Sequence, residues 1–219
     1  MFDEAGLAVQ GAIDAGAEYA DARVVISKQE TIDVQNQNLS QFDRSEHAGV
    51  GVRALIGSSW GFASTPDLDA ASIRAAGESA AAIAVASALV PGPRLEFADV
   101  PVADTTWETP HDEDPFAVSL SAKVDLLIDV TAPAQAVDGV AIATANLTFW
   151  DTDTWFVSSQ GHRIHQHIVE SGGGYDATAV GEAETQRRSY PQSFGQFETG
   201  GYETVRKWNY ADNAQRVAE

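Results

Sequence analysis

The spacing of apolar residues changes several times along the chain, and each change marks an element. Residues 2–15 carry apolar positions at helical spacing and are followed by Gly16, a usual helix stop, so a short first helix is predicted. Over residues 19–65 the period falls to two. Val24, Ile26, Ile32 and Val34 mark extended stretches, while Val50, Val52 and Ala54 alternate with Gly51, Arg53 and Leu55. Gly57-Ser58-Ser59 supplies turn residues before a return strand through Trp60, Phe62 and Ser64, giving a meander of antiparallel strands.

Asp67 and Asp69 are suitable N-caps for a helix over residues 70–89. Its predicted buried face is Ile73, Ala76, Ala80, Ile83 and Ser87, and its wealth of alanine implies close packing on a sheet. Pro91-Gly92-Pro93 ends it, and a loop rich in Pro, Asp and Thr runs to Asp114. Asp114-Pro115 reads as the next helix start, followed by an apolar stripe of Phe116, Leu120, Val124, Leu127 and Ile128 before Pro133. A second β region follows, with strands over residues 140–150, 155–159 and 162–170 and turns at Asp151-Thr152-Asp153 and Gly161. Gly172-Gly173-Gly174 is expected to interrupt this sheet as a bulge or flexible loop before a stretch over residues 175–186. Residues 202–219 return to a helical pattern, with Tyr202, Val205 and Trp208 at three-residue spacing and no stop signal, so a longer polypeptide is expected. The fold class is therefore α+β: antiparallel β-meanders with packed helices, in two β regions joined by a loop and a helix.

Charge narrows the partners. Thirty-two acidic against thirteen basic residues give a formal net charge of −19. That field repels nucleic-acid backbones and anionic membranes, so neither is an expected partner, and it also favours solubility. With no cysteine, disulfides, thiol nucleophiles and thiolate metal ligands are excluded from this sequence. The first residues lack the basic-then-apolar pattern of a signal peptide, and residues 80–90 are too short to span a bilayer, so a cytoplasmic location is expected.

Short motifs carry little chemistry. Gly57-Ser58-Ser59-Trp60-Gly61 matches the nucleophile-elbow pattern, but a strand follows where that chemistry needs a helix, and a tight hairpin explains the residues better. His165 and His167 share one face of a strand and could supply two metal ligands, with a third from His111 or a carboxylate; a polar, solvent-facing strand is the simpler reading. His162 and His167 have the outer spacing of H-E-x-x-x-H, yet Arg163 stands where the water-activating glutamate belongs. The three glycines have neither the lysine nor the spacing of a phosphate loop.

Three stretches taken together are more specific. Gly16-Ala17-Glu18-Tyr19-Ala20-Asp21-Ala22-Arg23 precedes a strand, Gly49-Val50-Gly51-Val52-Arg53-Ala54-Leu55 leads into Trp60-Gly61-Phe62-Ala63-Ser64-Thr65, and the alanine-rich helix follows. In this order they resemble the amino-terminal half of the TldD/PmbA family, called modulators of DNA gyrase and understood as zinc metallopeptidases. Thr154-Trp155-Phe156-Val157-Ser158-Ser159-Gln160-Gly161 is similar to a strand-and-turn of the same family. The resemblance covers residues 1–219, with sub-regions 1–90, 115–200 and 201–219, the last the start of a connecting helix. It places the H-E-x-x-x-H motif, a cysteine ligand and the zinc in a carboxy-terminal half absent from this sequence. No catalytic, cofactor-binding or metal residue is therefore assigned here, and the chain alone is expected to be inactive.

The resemblance further implies a scaffold that frames the active-site cleft for unfolded peptides and dimerises with itself or with a PmbA-type partner. Two other readings stay open: a stand-alone, non-catalytic peptide-binding or dimerisation module, and a small metal-dependent hydrolase using His165 and His167. The gyrase label does not imply contact with DNA, given the charge.

Overall fold

A computed structural model describes residues 1–219 apart from Pro91, Arg94, Glu96 and Phe194. In chain order its elements are α1 (Phe2–Asp14), β1 (Tyr19–Gln35), β2 (Asn38–Ile56), β3 (Ser59–Thr65), α2 (Ala70–Ser87), β4 (Asp104–Glu108) and α3 (Leu120–Gln135). They continue as β5 (Val140–Ser158), β6 (Arg163–Val180), β7 (Thr185–Tyr190), β8 (Gln196–Thr199), α4 (Glu203–Lys207) and α5 (Tyr210–Ala218). The fold is α+β, with antiparallel strands and packed helices. None of the helices among the described residues is long and apolar enough to cross a membrane.

The chain divides into two units. Unit 1 comprises Met1–Ser27, Glu46–Glu108 and Thr152–His167, and unit 2 comprises Lys28–Ser45, Thr109–Asp151 and Ile168–Glu219. The four long strands β1, β2, β5 and β6 each contribute residues to both.

In unit 1 the strand order is β3-β2-β1-β5-β6-β4. β2 and β3 form an antiparallel hairpin, with Val52 opposite Ala63 and Ile56 opposite Ser59. One face buries Ala20, Ala22 and Val24 of β1 and Val50, Val52 and Ala54 of β2 beneath α1 and α2. The small side chains let backbones approach. A β-carbon on Gly77 of α2 would lie 2.2 Å from the Ala8 carbonyl oxygen of α1, and one on Gly61 of β3 would lie 1.9 Å from that of Ala80. Asp69 caps α2 by accepting from the amides of Ala71 and Ser72 at 3.0 and 3.1 Å. Toward the other side of β1, the buried carboxylate of Asp21 accepts two bonds from Arg53, at 3.0 and 2.7 Å. Arg23 at 3.1 Å and the Tyr19 hydroxyl at 3.0 Å complete its set. Burial, and then the Asp21 charge, push the Tyr19 hydroxyl up to about 12.

Unit 2 holds the order β2-β1-β5-β6, and β7 and β8 both pair antiparallel with β6. Its core gathers Ile32 and Val34 of β1, Leu147 and Phe149 of β5, and Leu127, Val205, Tyr210 and Val217 from α3, α4 and α5. Inside it sits a charge cluster that no hydrophobic pattern announces. Glu30 and Lys123 are both fully buried and paired with each other, and Glu30 also accepts from Arg44, whose Nε lies at 2.7 Å. The Lys123 ammonium stands 4.7 Å from the centroid of the Phe149 ring. Two cations thus share one desolvated carboxylate, which fastens α3 to β1 and β2.

Several elements differ from their predicted extents. α2 turns Gly77, Ala81 and Ala84 inward beside Ile73, Ala76 and Ala80 and leaves Ile83 at 45% exposure and Ser87 exposed, because where α1 and β3 come within backbone contact only the smallest side chains fit. Pro91, expected to stop this helix, lies outside the described residues; the helix ends at Ser87. Within the expected loop, β4 pairs in parallel with β6, from Asp104 opposite Arg163 to Glu108 opposite His167. Its five residues are all exposed, so backbone pairing at an edge holds it, with no apolar alternation to betray it. Asp114 closes only a turn, on the Phe116 amide at 2.8 Å, and α3 starts instead behind Ser119, which accepts from the Ala122 amide. Pro133 lies inside α3, where the residue four before it, Asp129, is exposed and its carbonyl can turn to solvent. β5 runs straight through Asp151-Thr152-Asp153. The terminal helix is two helices, separated by Asn209 in the left-handed conformation at φ 49°.

Two substitutions test these contacts. Gly77→Ala should destabilise the chain by roughly 1–3 kcal/mol through overpacking against α1, read as a lower denaturant midpoint at unchanged slope. Lys123→Met should cost about 3–5 kcal/mol by stripping a buried carboxylate of one cation, and the double change Glu30→Met, Lys123→Met should cost less. A single change as mild as the double one would show that the pair is not desolvated.

Candidate functional site

Along β1 the residues alternate. Ile32 and Val34 enter the core of unit 2, so Asp33 faces the opposite side of the sheet. The same alternation turns Thr144 and Asn146 of β5 and Asp176 of β6 to that side, between the core residues Ala145, Leu147 and Tyr175. A cleft of about 460 Å³ lies there, lined from β1, β2, β5, β6 and β7 and by Ser193 and Gly195. Its volume falls within the range of small-ligand sites.

The three glycines of β6 shape this side. The strand does not break at them; Gly172 and Gly173 pair with Phe197 and Gln196 of β8. A β-carbon on Gly172 would lie 1.7 Å from the Phe197 ring, and one on Gly174 would lie 2.5 Å from the α-carbon of Gly195. On Gly173 it would lie 2.3 Å from the Asn146 carbonyl oxygen. Close approach on both sides of the strand, rather than a bulge or a flexible loop, is the reason for the glycines. Gly174 also donates its amide to the Asn146 side-chain oxygen at 3.0 Å, and its missing β-carbon lets Gly195 contribute to the cleft wall.

The charges in the cleft are unequal in their commitments. Asp176 accepts a two-point fork from Arg187, at 3.0 and 2.9 Å, and a hydroxyl from Thr144 at 2.6 Å. Its charge is satisfied, and so is that of Arg187. Asp33 differs: burial raises its carboxyl above the ordinary carboxylate value, and no cation among the described residues offsets the loss of water. Ser40 bonds the Asp33 carbonyl, at 3.0 Å, and not its carboxylate. The position of Asp33 between two core residues was legible as a sheet-face residue, but no motif marked it or its neighbours as a site.

The histidines lie outside this cleft. His165 Nε2 meets the Asp153 carboxylate at 2.6 Å, and its ring stacks on Trp155 with centroids 4.7 Å apart. Donor atoms of Asp153 and His167 lie within 4.8 Å of one another. His165 is thus held by a carboxylate and an indole on a strand of unit 1. His162 Nδ1 accepts from the Ala103 amide at 3.1 Å, which ties the entry of β4 to β6, and His111 Nδ1 contacts the Thr109 carbonyl at 3.0 Å in unit 2. Ser59 opens β3 opposite Ile56, behind a two-residue hairpin loop with Gly57 at φ 61°, so it sits in a strand pair and not on a strand-to-helix elbow.

Comparison with known proteins bears on the whole fold. The PmbA/TldA metallopeptidase domain 1 family matches residues 20–84. No curated protein matches the chain. A solved structure from Bacteroides thetaiotaomicron described as a modulator of DNA gyrase superposes with a TM-score of 0.77 at 12% identity, over 98% of this chain and 48% of that one. One so described from Thermotoga maritima gives 0.71 at 14%, over 99% and 47%. TldE from Thermococcus kodakarensis gives 0.65 at 13%, over 96% and 45%. At these identities the likeness is one of fold, and the chain spans about half the length of the structures it matches.

The raised Asp33 carboxyl has a consequence for stability. Folding favours its protonated form, so the charged form is penalised as pH rises from the unfolded value of 3.8 through the higher folded one. Asp33→Asn should therefore have a thermal midpoint at or above that of the wild type at neutral pH, with the gap closing below pH 3.8. A lower midpoint at neutral pH would mean that the carboxylate is paired.

Proposed function

From the TldD/PmbA-like amino-terminal domain that this chain carries, we propose that it is the cleft-framing and assembly portion of a zinc metallopeptidase acting on unfolded peptides. The observation that carries the reading is the pairing of two coverages: nearly all of this chain superposes on about half of each solved relative. The sequence has no H-E-x-x-x-H motif and no cysteine, which fits a metal set housed in the other half. In this reading the chain contributes no zinc ligand. It holds the peptide and the dimer contacts, with itself or with a PmbA-type subunit, in the cytoplasm. The charge of −19 suits a role without direct contact to DNA.

A non-catalytic binding module is the second reading, and the polar cleft of unit 2 favours it, because that cleft gathers a carboxylate and several neutral hydrogen-bonding side chains in one concavity.

Joining the chain to a metal-bearing half that contains H-E-x-x-x-H separates the two. Zinc-dependent hydrolysis of an unfolded peptide pool should appear only in the joined protein and vanish with a chelator. Cleavage by the 219-residue chain alone, or none after joining, would overturn the peptidase reading.

A further inference from the structure

The cleft of unit 2 contains one charge that the protein leaves uncompensated. Asp176 is saturated by Arg187 and Thr144, and Arg187, the cation lining the cleft, is spent on that pair. Asp33 lines the same space, part-buried between the core residues Ile32 and Val34 of β1, and its carboxylate makes no ion pair among the described residues. A partly desolvated, unpaired carboxylate costs stability, and an incoming cation that replaces its lost water recovers that cost. The remaining lining adds neutral groups able to accept hydrogen bonds, among them the Ser189 hydroxyl and the Gln35 side chain.

We propose that this cleft is a binding site for a cationic nitrogen group bearing N–H donors, with Asp33 as its anionic partner. A hard metal ion is a poorer match, since it asks for several oxygen ligands and Asp176 is already committed to Arg187. An anion is repelled by Asp33 and by the field of the chain. An ammonium is satisfied by one carboxylate with neutral acceptors around it, and the cleft offers Asp33 together with neutral hydrogen-bonding side chains. That a peptide carries the cation, on its amino terminus or on a lysine side chain, rests on the function proposed above; the preference of the cleft for a cation does not.

The test is an NMR titration of the 219-residue chain with three small probes. Triglycine amide carries an α-ammonium, N-acetyl-lysine amide carries a side-chain ammonium, and N-acetyl-glycine amide carries no charge. At least one cationic probe should bind and shift the amide resonances of Asp33, Thr144 and Asp176, and the one that binds better identifies the source of the ammonium. The neutral probe should not. Asp33→Asn should weaken binding about tenfold or more, the loss expected on removing one charged hydrogen-bond partner. Asp67→Asn, which removes an exposed charge in unit 1, should leave affinity unchanged. Binding by no probe, equal binding of the neutral one, or equal losses in the two variants would overturn the proposal. The titration needs no metal half, so its failure leaves the peptidase assay untouched, and failure of that assay leaves the cleft standing.

Discussion

The carboxylate of Glu30, buried beneath α3 and shared by Lys123 and Arg44, is the constraint on which unit 2 depends. A fully desolvated carboxylate is tolerable only with its cations in place, and the cations come from two different elements. Sheet and helix therefore have one register in which the charges meet. The flat apolar faces around it, Ile32, Leu127 and Phe149, would accept several alignments; the ion cluster accepts one. Unit 1 repeats the device with other residues. Asp21 of β1 is covered by Arg53 of β2, by Arg23 and by Tyr19, so in each unit a buried acid on β1 is answered by an arginine on β2.

Close approach is the second constraint. In unit 1, Gly61 and Gly77 bring β3, α2 and α1 within backbone contact, and the alanines around them fill what remains. In unit 2, Gly172, Gly173 and Gly174 do the same for β6, which is crowded on both sides. The cleft follows from this crowding. Because Gly174 lets Gly195 lie on the sheet, the open face beside it acquires a wall, and Asp33, Thr144 and Asp176 line a concavity rather than a flat surface.

The acidity of the chain then has two components. Most of its carboxylates lie at the surface, where they set a long-range field that repels polyanions. A few are buried or half-buried and answered, as Glu30, Asp21 and Asp176 are. Asp33 belongs to neither group, and its intermediate state, part-buried and unanswered, gives the cleft a chemical preference that net charge alone could not.

The periodicity of the chain was enough for the α+β class, for the hairpin around Gly57 and for the helix that Asp69 caps, since these rest on contacts a few residues apart. The resemblance carried by residues 16–88 likewise needed only their order. Tertiary structure decided the rest. β4 has no apolar alternation, so only its pairing with β6 makes it a strand. The glycine triplet reads as a break until Phe197, Asn146 and Gly195 are seen against it. Lys123 reads as a surface residue until Glu30 arrives from 93 positions away. Asp33 is one acid among many until Arg187 is found spent on Asp176. Local periodicity reports which face a side chain takes, whereas desolvation and pairing depend on what the folded chain brings to that face.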